Sequence, residues 1–237
     1  MVAHAMLRCR MTARGRSTRV DSPEARSYTA HDVKAAYFRP ADFGPAVVGG
    51  FVDPDFHSHA NYVPLGGLEI CPLAQRAEAS SGGGVNEIQP KAAEPVQQYV
   101  VNPRSPDDDR TPTITQGGLV FGTSTIAAQG MDKAEAAMTK CPARYAVRGG
   151  PAPILGTYNV SMRPLELHGW SGVAQQIAHT YPADVDNVYY EDVTHLLVRR
   201  ANAILYVDVT HRKIIGERSD SAATAQKVLS TVLRRLG

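Results

Sequence analysis

The chain has 237 residues, 43% of them hydrophobic and 20% charged, with a net charge of +2. That is enough material to bury a sizeable core in one large domain or two small ones. The balance of charge is too even to argue for a nucleic-acid or acidic-membrane partner. Arginine far outnumbers lysine, and the uneven part of the charge lies at the start, where residues 1–20 carry Arg8, Arg10, Arg14, Arg16 and Arg19 and no acid.

A cationic arm on nucleic acid is one reading of that start. A solvated, disordered tail over residues 1–27 is the favoured one, because the segment has neither apolar periodicity nor aromatics. Its longest apolar stretches are Val2-Ala3 and Ala5-Met6-Leu7, far short of the apolar core of a secretory signal. The residues before Cys9 make a poor lipobox, since Arg8 precedes it. No run of about 20 apolar residues occurs to cross a membrane as a helix.

Order is expected from Tyr28. Thr29 caps a predicted short helix to Phe38, with Val33 and Ala36 or Tyr37 inward, and Pro40 breaks it. Residues 39–64, rich in Gly, Pro, Asp and His, read as an irregular loop. Pro72 to Glu78 reads as a short helix with proline in its first turn, and Ser80 to Gly84 as a flexible linker. Val96–Val101 is a predicted strand, and Asn102–Pro112 a polar turn. Thr113–Thr123 is a weaker strand, interrupted by Gly117, Gly118 and Gly122. Ser124–Cys141 is a predicted helix, with Ala134, Ala137, Met138 and Cys141 on one face. Ile154–Leu167 reads as a strand, and Val173–Tyr181 as an extended piece or short helix. Asn187–Arg200 and Ala203–Val209 form a predicted hairpin through Ala201-Asn202, Asn tolerating positive φ. Ser221–Leu236 closes the chain as an amphipathic helix, with Ala225, Val228, Leu229, Val232, Leu233 and Leu236 inward. The order predicts an α+β fold with a central, mainly antiparallel sheet, its helices on one side, and a closing hairpin and helix.

Chemical motifs are scarce. No phosphate-binding loop, zinc-protease helix or nucleophile elbow is spelled out. Asp53, Asp55, His57 and His59 are the best metal candidates by ligand type, yet their spacing fits no known site and a solvated loop is the favoured reading. No metal and no cofactor are therefore expected. His195 and His211 read as cross-strand or edge residues. Trp170 reads first as core and second as the lining of a pocket. Tyr189, Tyr190 and Tyr206 gather on the hairpin, where ordinary packing and an aromatic floor for a ligand both explain them. Cys71 and Cys141 each precede a proline at a predicted helix end. Two buried thiols are one reading; a disulfide, expected in an exported setting, is the other.

Together, several segments resemble a family. Asp32-Val33-Lys34-Ala35-Ala36-Tyr37-Phe38-Arg39-Pro40-Ala41-Asp42-Phe43, the mid-chain Cys71, the Ala-rich helix ending at Cys141, Leu196–Ile204 and Ala222–Leu236 occur in order. In this they resemble the actinobacterial sensor-domain lipoproteins, related to the extracellular sensor domain of mycobacterial receptor serine/threonine kinases (the PknH-like extracellular domain). The resemblance spans residues 28–237, read as a single sensor-like domain. It implies an exported, often lipid-anchored α+β domain with a cleft, which senses a ligand without catalysis. A small molecule, a lipid or a cell-wall fragment is the expected partner, and nucleic acid is not. Members begin with a signal peptide and lipobox, which this chain lacks. The membrane is thus expected only through an anchor or signal missing here, and the location extracytoplasmic, or cytoplasmic where the start is as written. The kinase sensor domains carry two disulfides, and the ordered part here offers one. The rival function is a hydrolase-type enzyme with a dispersed site near residues 53–59.

Overall fold

A computed structural model describes residues 26–44, 47–51, 93–103, 112–139, 141–148, 154–180, 190–214 and 216–237. The predicted helix Pro72–Glu78 and the linker Ser80–Gly84 lie outside the described residues. So does the predicted arm, apart from Arg26 and Ser27. Arg26 belongs with the folded part, since its guanidinium donates to Leu236 O at 2.6 Å.

Helix α1 (Ala30–Ala36) starts at a capping box. Thr29 Oγ1 accepts from Asp32 N, and the Asp32 carboxylate accepts in return from Thr29 N, satisfying amides that the first helical turn leaves open. These bonds hold the Asp32 carboxyl below its ordinary range. Pro40 does more than end this helix. It begins a second, one-turn helix, α2 (Pro40–Phe43), because its fixed φ suits the first helical position. Strand β1 (Val47–Phe51) follows, within the stretch expected to be irregular, and pairs antiparallel with β2 (Ala93–Pro103). Its glycines hid it, and Gly49 serves packing: a Cβ there would lie 2.9 Å from Pro40 and 3.0 Å from the Tyr99 ring.

Strand β3 (Thr113–Phe121) leads into α3 (Ser124–Met138). The helix ends three residues short of its predicted end, so Cys141 lies beyond it, half-buried. Strand β4 (Arg144–Arg148) was not foreseen. Strands β5 (Ile154–Leu167) and β6 (Trp170–Thr180) form a hairpin through His168 and Gly169, both at positive φ (50° and 75°), the signature of a two-residue turn. The extended reading of Val173–Tyr181 therefore holds over its helical alternative. Strands β7 (Tyr190–Arg200) and β8 (Ala203–Lys213) form the expected hairpin, and α4 (Ser221–Leu236) the expected closing helix.

All eight strands join one antiparallel sheet in the order β1-β2-β3-β8-β7-β6-β5-β4. Alternation along a strand divides its side chains between two faces. Leu205, Val207 and Val209 of β8 pack on the first face, with Val33 of α1 and Val228, Leu229 and Val232 of α4. Ile204 and Tyr206 point to the second, where Ala127, Met131, Ala134 and Met138 of α3 cover them. Helices thus flank both faces, not one as the element order suggested. The correction comes from α3, whose apolar stripe packs on the second face against Ile204 and Tyr206.

Two buried amides tie the N-terminal segment to the first face. Asn202 Oδ1 accepts from Tyr28 N at 2.8 Å, and its Nδ2 donates to Tyr28 O and Phe121 O at 3.0 and 2.9 Å. Gln116 does the same at Phe38, accepting from its N at 2.7 Å and donating to its O at 2.9 Å. Each amide imitates a strand partner, so backbone groups at both ends of α1 are satisfied without a ladder. The positive φ of the β7–β8 turn falls on Ala201 (48°), not on Asn202. Asn202 is there for its side chain.

Candidate functional site

The register of the central strands sets one transverse row on the second face. Gln175 of β6 lies opposite His195 of β7, His195 opposite Asp208 of β8, and Asp208 opposite Thr115 of β3. Four polar residues thus cross the middle of a sheet whose neighbouring row is Val173, Leu197, Tyr206 and Gly117. The Tyr206 ring lies over Gly117, where an added Cβ would come within 2.4 Å of it, and its hydroxyl accepts from Gln98 Nε2.

Gln175 and His195 are fully buried (0% exposed), whereas Asp208 keeps 22% of its side chain accessible. Gln175 Nε2 donates weakly to Cys141 Sγ at 3.5 Å. Among the described residues its Oε1 has no hydrogen-bond partner, and neither has either ring nitrogen of His195. His195 Nδ1 lies 3.3 Å from Asp208 Oδ2, close enough for attraction but off the hydrogen-bond angle. A carboxylate only accepts, so it favours the proton on Nδ1 and leaves Nε2 as an acceptor. An unsatisfied buried acceptor costs roughly 1–3 kcal/mol, and two adjoin here.

Orphan groups on the first face differ in kind. They are the hydroxyls of Tyr28 and Tyr37 and the Trp170 indole N–H, donors whose rings are buried in the apolar core. Trp170 is fully buried, its ring 5.2 Å from that of Tyr28. Trp170 and Tyr206 therefore sit in different clusters on opposite faces and share no aromatic floor. Tyr189 lies outside the described residues, and Tyr190 opens β7 with its side chain likewise outside. Asp53, Asp55, His57, His59 and Cys71 also lie outside them.

Other titratable groups are structural. His211 Nδ1 accepts from Asp220 N at 3.2 Å beside the start of α4. Lys213 Nζ meets Asp192 Oδ2 at 2.5 Å in a buried pair, and Asp192 Oδ1 accepts from His179 N at 2.9 Å. On the second face, His179 stands edge-on to Tyr158, with ring centres 4.6 Å apart. Burial lowers its pKa to about 4. Among the described residues no cluster of three or more His, Cys, Asp or Glu is placed to hold a metal ion. His195 was noticed in the sequence as a cross-strand residue. Gln175 and Asp208 were missed, and strand alternation was the signal that placed them on its face.

No family model matches the chain, and no curated protein matches it. Among solved structures its fold resembles that of a mycobacterial extracellular domain. One similar structure is the extracellular domain of PknH from Mycobacterium tuberculosis, at a TM-score of 0.52 and 9% identity, covering 90% of this chain and 98% of that one. An uncharacterised protein from Mycobacterium smegmatis aligns at a TM-score of 0.38 and 11% identity, over 90% of this chain and 98% of that one. LpqN of Mycobacterium tuberculosis, involved in cell envelope biogenesis, aligns at 0.26 and 12%, over 84% and 95%. The likeness of fold rests on the first.

Proposed function

We propose that this chain is a non-catalytic extracytoplasmic sensor or binding domain of the cell envelope, of the lipoprotein type, whose ligand is a small molecule, a lipid or a cell-wall fragment. The observation that carries the reading is the likeness of fold to the PknH extracellular domain over nearly the full length of both chains. A fold does not fix a function, so the row on the second face supplies the second support. It presents buried hydrogen-bonding atoms without partners, which a binding domain uses and a purely structural sheet avoids. The test is expression from the native upstream DNA in an actinobacterial host, followed by fractionation and protease treatment of intact cells. Recovery in the envelope or medium, with cleavage from outside, is expected. Recovery in the cytosol alone would overturn the reading.

The same reading includes a Cys71–Cys141 disulfide. Cys141 lies half-buried just beyond the end of α3, a position compatible with the pairing, while Cys71 lies outside the described residues. A loop of some seventy residues closed in this way stabilises by roughly 4 kcal/mol on the chain-entropy account. Mass mapping of the exported protein without reductant should find the linked peptide pair. Two alkylatable thiols at these positions would refute it.

A further inference from the structure

We infer that Gln175, His195 and Asp208 form a binding site for a small ligand that presents a primary ammonium group. The inference rests on the binding-domain reading above and names the chemistry of its ligand. The three residues are register partners on adjacent strands, so their side chains adjoin across strand spacings of about 4.8 Å. What they offer is acceptors. Gln175 commits its amide nitrogen to Cys141 Sγ, leaving Oε1 unpaired. His195 turns Nδ1 toward Asp208 and leaves Nε2 unpaired. Among the described residues the Asp208 carboxylate takes a 3.5 Å bond from Thr210 Oγ1 and lies 3.3 Å from His195 Nδ1. Thr115, at the end of the row, is half-buried.

An ammonium group is a compact cation with three N–H donors and no acceptor. Two of its donors match the unpaired acceptors Gln175 Oε1 and His195 Nε2, and its charge is balanced by the Asp208 carboxylate on the Nδ1 side of the ring. Taking a charge out of water is tolerable when it is paired and hydrogen-bonded, which these residues supply. An anion would face the Asp208 carboxylate. A neutral polyol would bring donors but leave that charge without a counterpart. The partial exposure of Asp208 gives the row its open end.

The test is calorimetric titration of the full chain with ethanolamine and putrescine, against glycerol, myo-inositol and inorganic phosphate. The amines should bind, with affinity at least tenfold weaker in Asp208→Asn and in Gln175→Leu, both checked for an unchanged thermal melt. Nitrogen-15 NMR of histidine-labelled wild-type protein should show the His195 Nε2 resonance move on adding ethanolamine, a readout that needs no variant. Binding of polyol or phosphate in preference to amine, no binding of any amine at millimolar concentration, or amine affinity unchanged in Asp208→Asn would each overturn the inference. A cytosolic protein that binds amines through Asp208 would sink the envelope reading and leave the site. An envelope protein indifferent to amines would do the reverse.

Discussion

The first face of the sheet, under α1 and α4, and the second, under α3, differ at particular buried amides: Asn202 and Gln116 on the first, Gln175 on the second, where Gln98 by contrast is paired with the Tyr206 hydroxyl. On the first, Asn202 and Gln116 spend their donors and acceptors on backbone groups of Tyr28, Phe121 and Phe38. On the second, Gln175 is equally buried, yet among the described residues its oxygen has no hydrogen-bond partner. A satisfied amide fixes one geometry and is costly to remove; an unsatisfied one destabilises the fold and persists where something else needs it. The first face thus spends its amides on holding the N-terminal segment, and the second keeps a buried acceptor at Gln175 that the proposed ligand would use.

Substitutions on the two faces test that contrast, and the largest effect belongs to the first. Val228 is fully buried under α4, so Val228→Asp strands a charge in the apolar core and should cost about 3–5 kcal/mol in urea unfolding. A change below about 1 kcal/mol would mean that this face is not the core. Next comes Asn202→Ala, which orphans the buried backbone groups of Tyr28 and Phe121 together. A loss of roughly 2–4 kcal/mol is expected, with amide exchange speeding up first around Tyr28 to Val33. A loss under about 0.5 kcal/mol, with exchange unchanged, would remove the amide from its anchoring role.

A smaller effect is set by pH on the second face. Burial holds the folded pKa of His179 near 4, against an ordinary value of 6.5. Between those values the unfolded chain binds the proton and the folded chain does not. The contribution is therefore complete above pH 6.5 and is lost as pH falls toward 4. Relative to His179→Gln, the wild type should lose on the order of 1–2 kcal/mol across that window. Parallel stability curves for the two proteins would contradict the buried neutral imidazole. The smallest effect sharpens the contrast most. Gln175→Leu removes an acceptor that has no partner and should leave stability within about 1 kcal/mol of wild type, where the same loss at Asn202 is severe. A cost approaching that of Asn202→Ala would show that both faces use their amides alike.

Much of this architecture is written locally. The 3.6-residue spacing from Ala225 to Leu236 marks the face that α4 buries, and all six of its expected inward residues are buried. Thr29 and Asp32 spell the start of α1 within four residues, and the apolar run Ile204–Val207 marks the heart of the closing hairpin. These features need only neighbours along the chain, so the sequence determines them. Strands β1 and β3 were obscured because their glycines answer to distant residues: Gly49 makes room for Pro40 and Tyr99, and Gly117 for Tyr206. A sequence shows the missing side chain but not the ring that occupies its space. The side of the sheet that α3 covers was equally out of reach, since an amphipathic stripe states that a face is buried and not against what. The candidate site lies furthest from the sequence. Gln175, His195 and Asp208 sit on three strands, and alternation alone assigns each to a face. Only the register of β6 with β7 and of β7 with β8 sets them side by side, and a slip of one residue in either pairing would send part of the row to the opposite face.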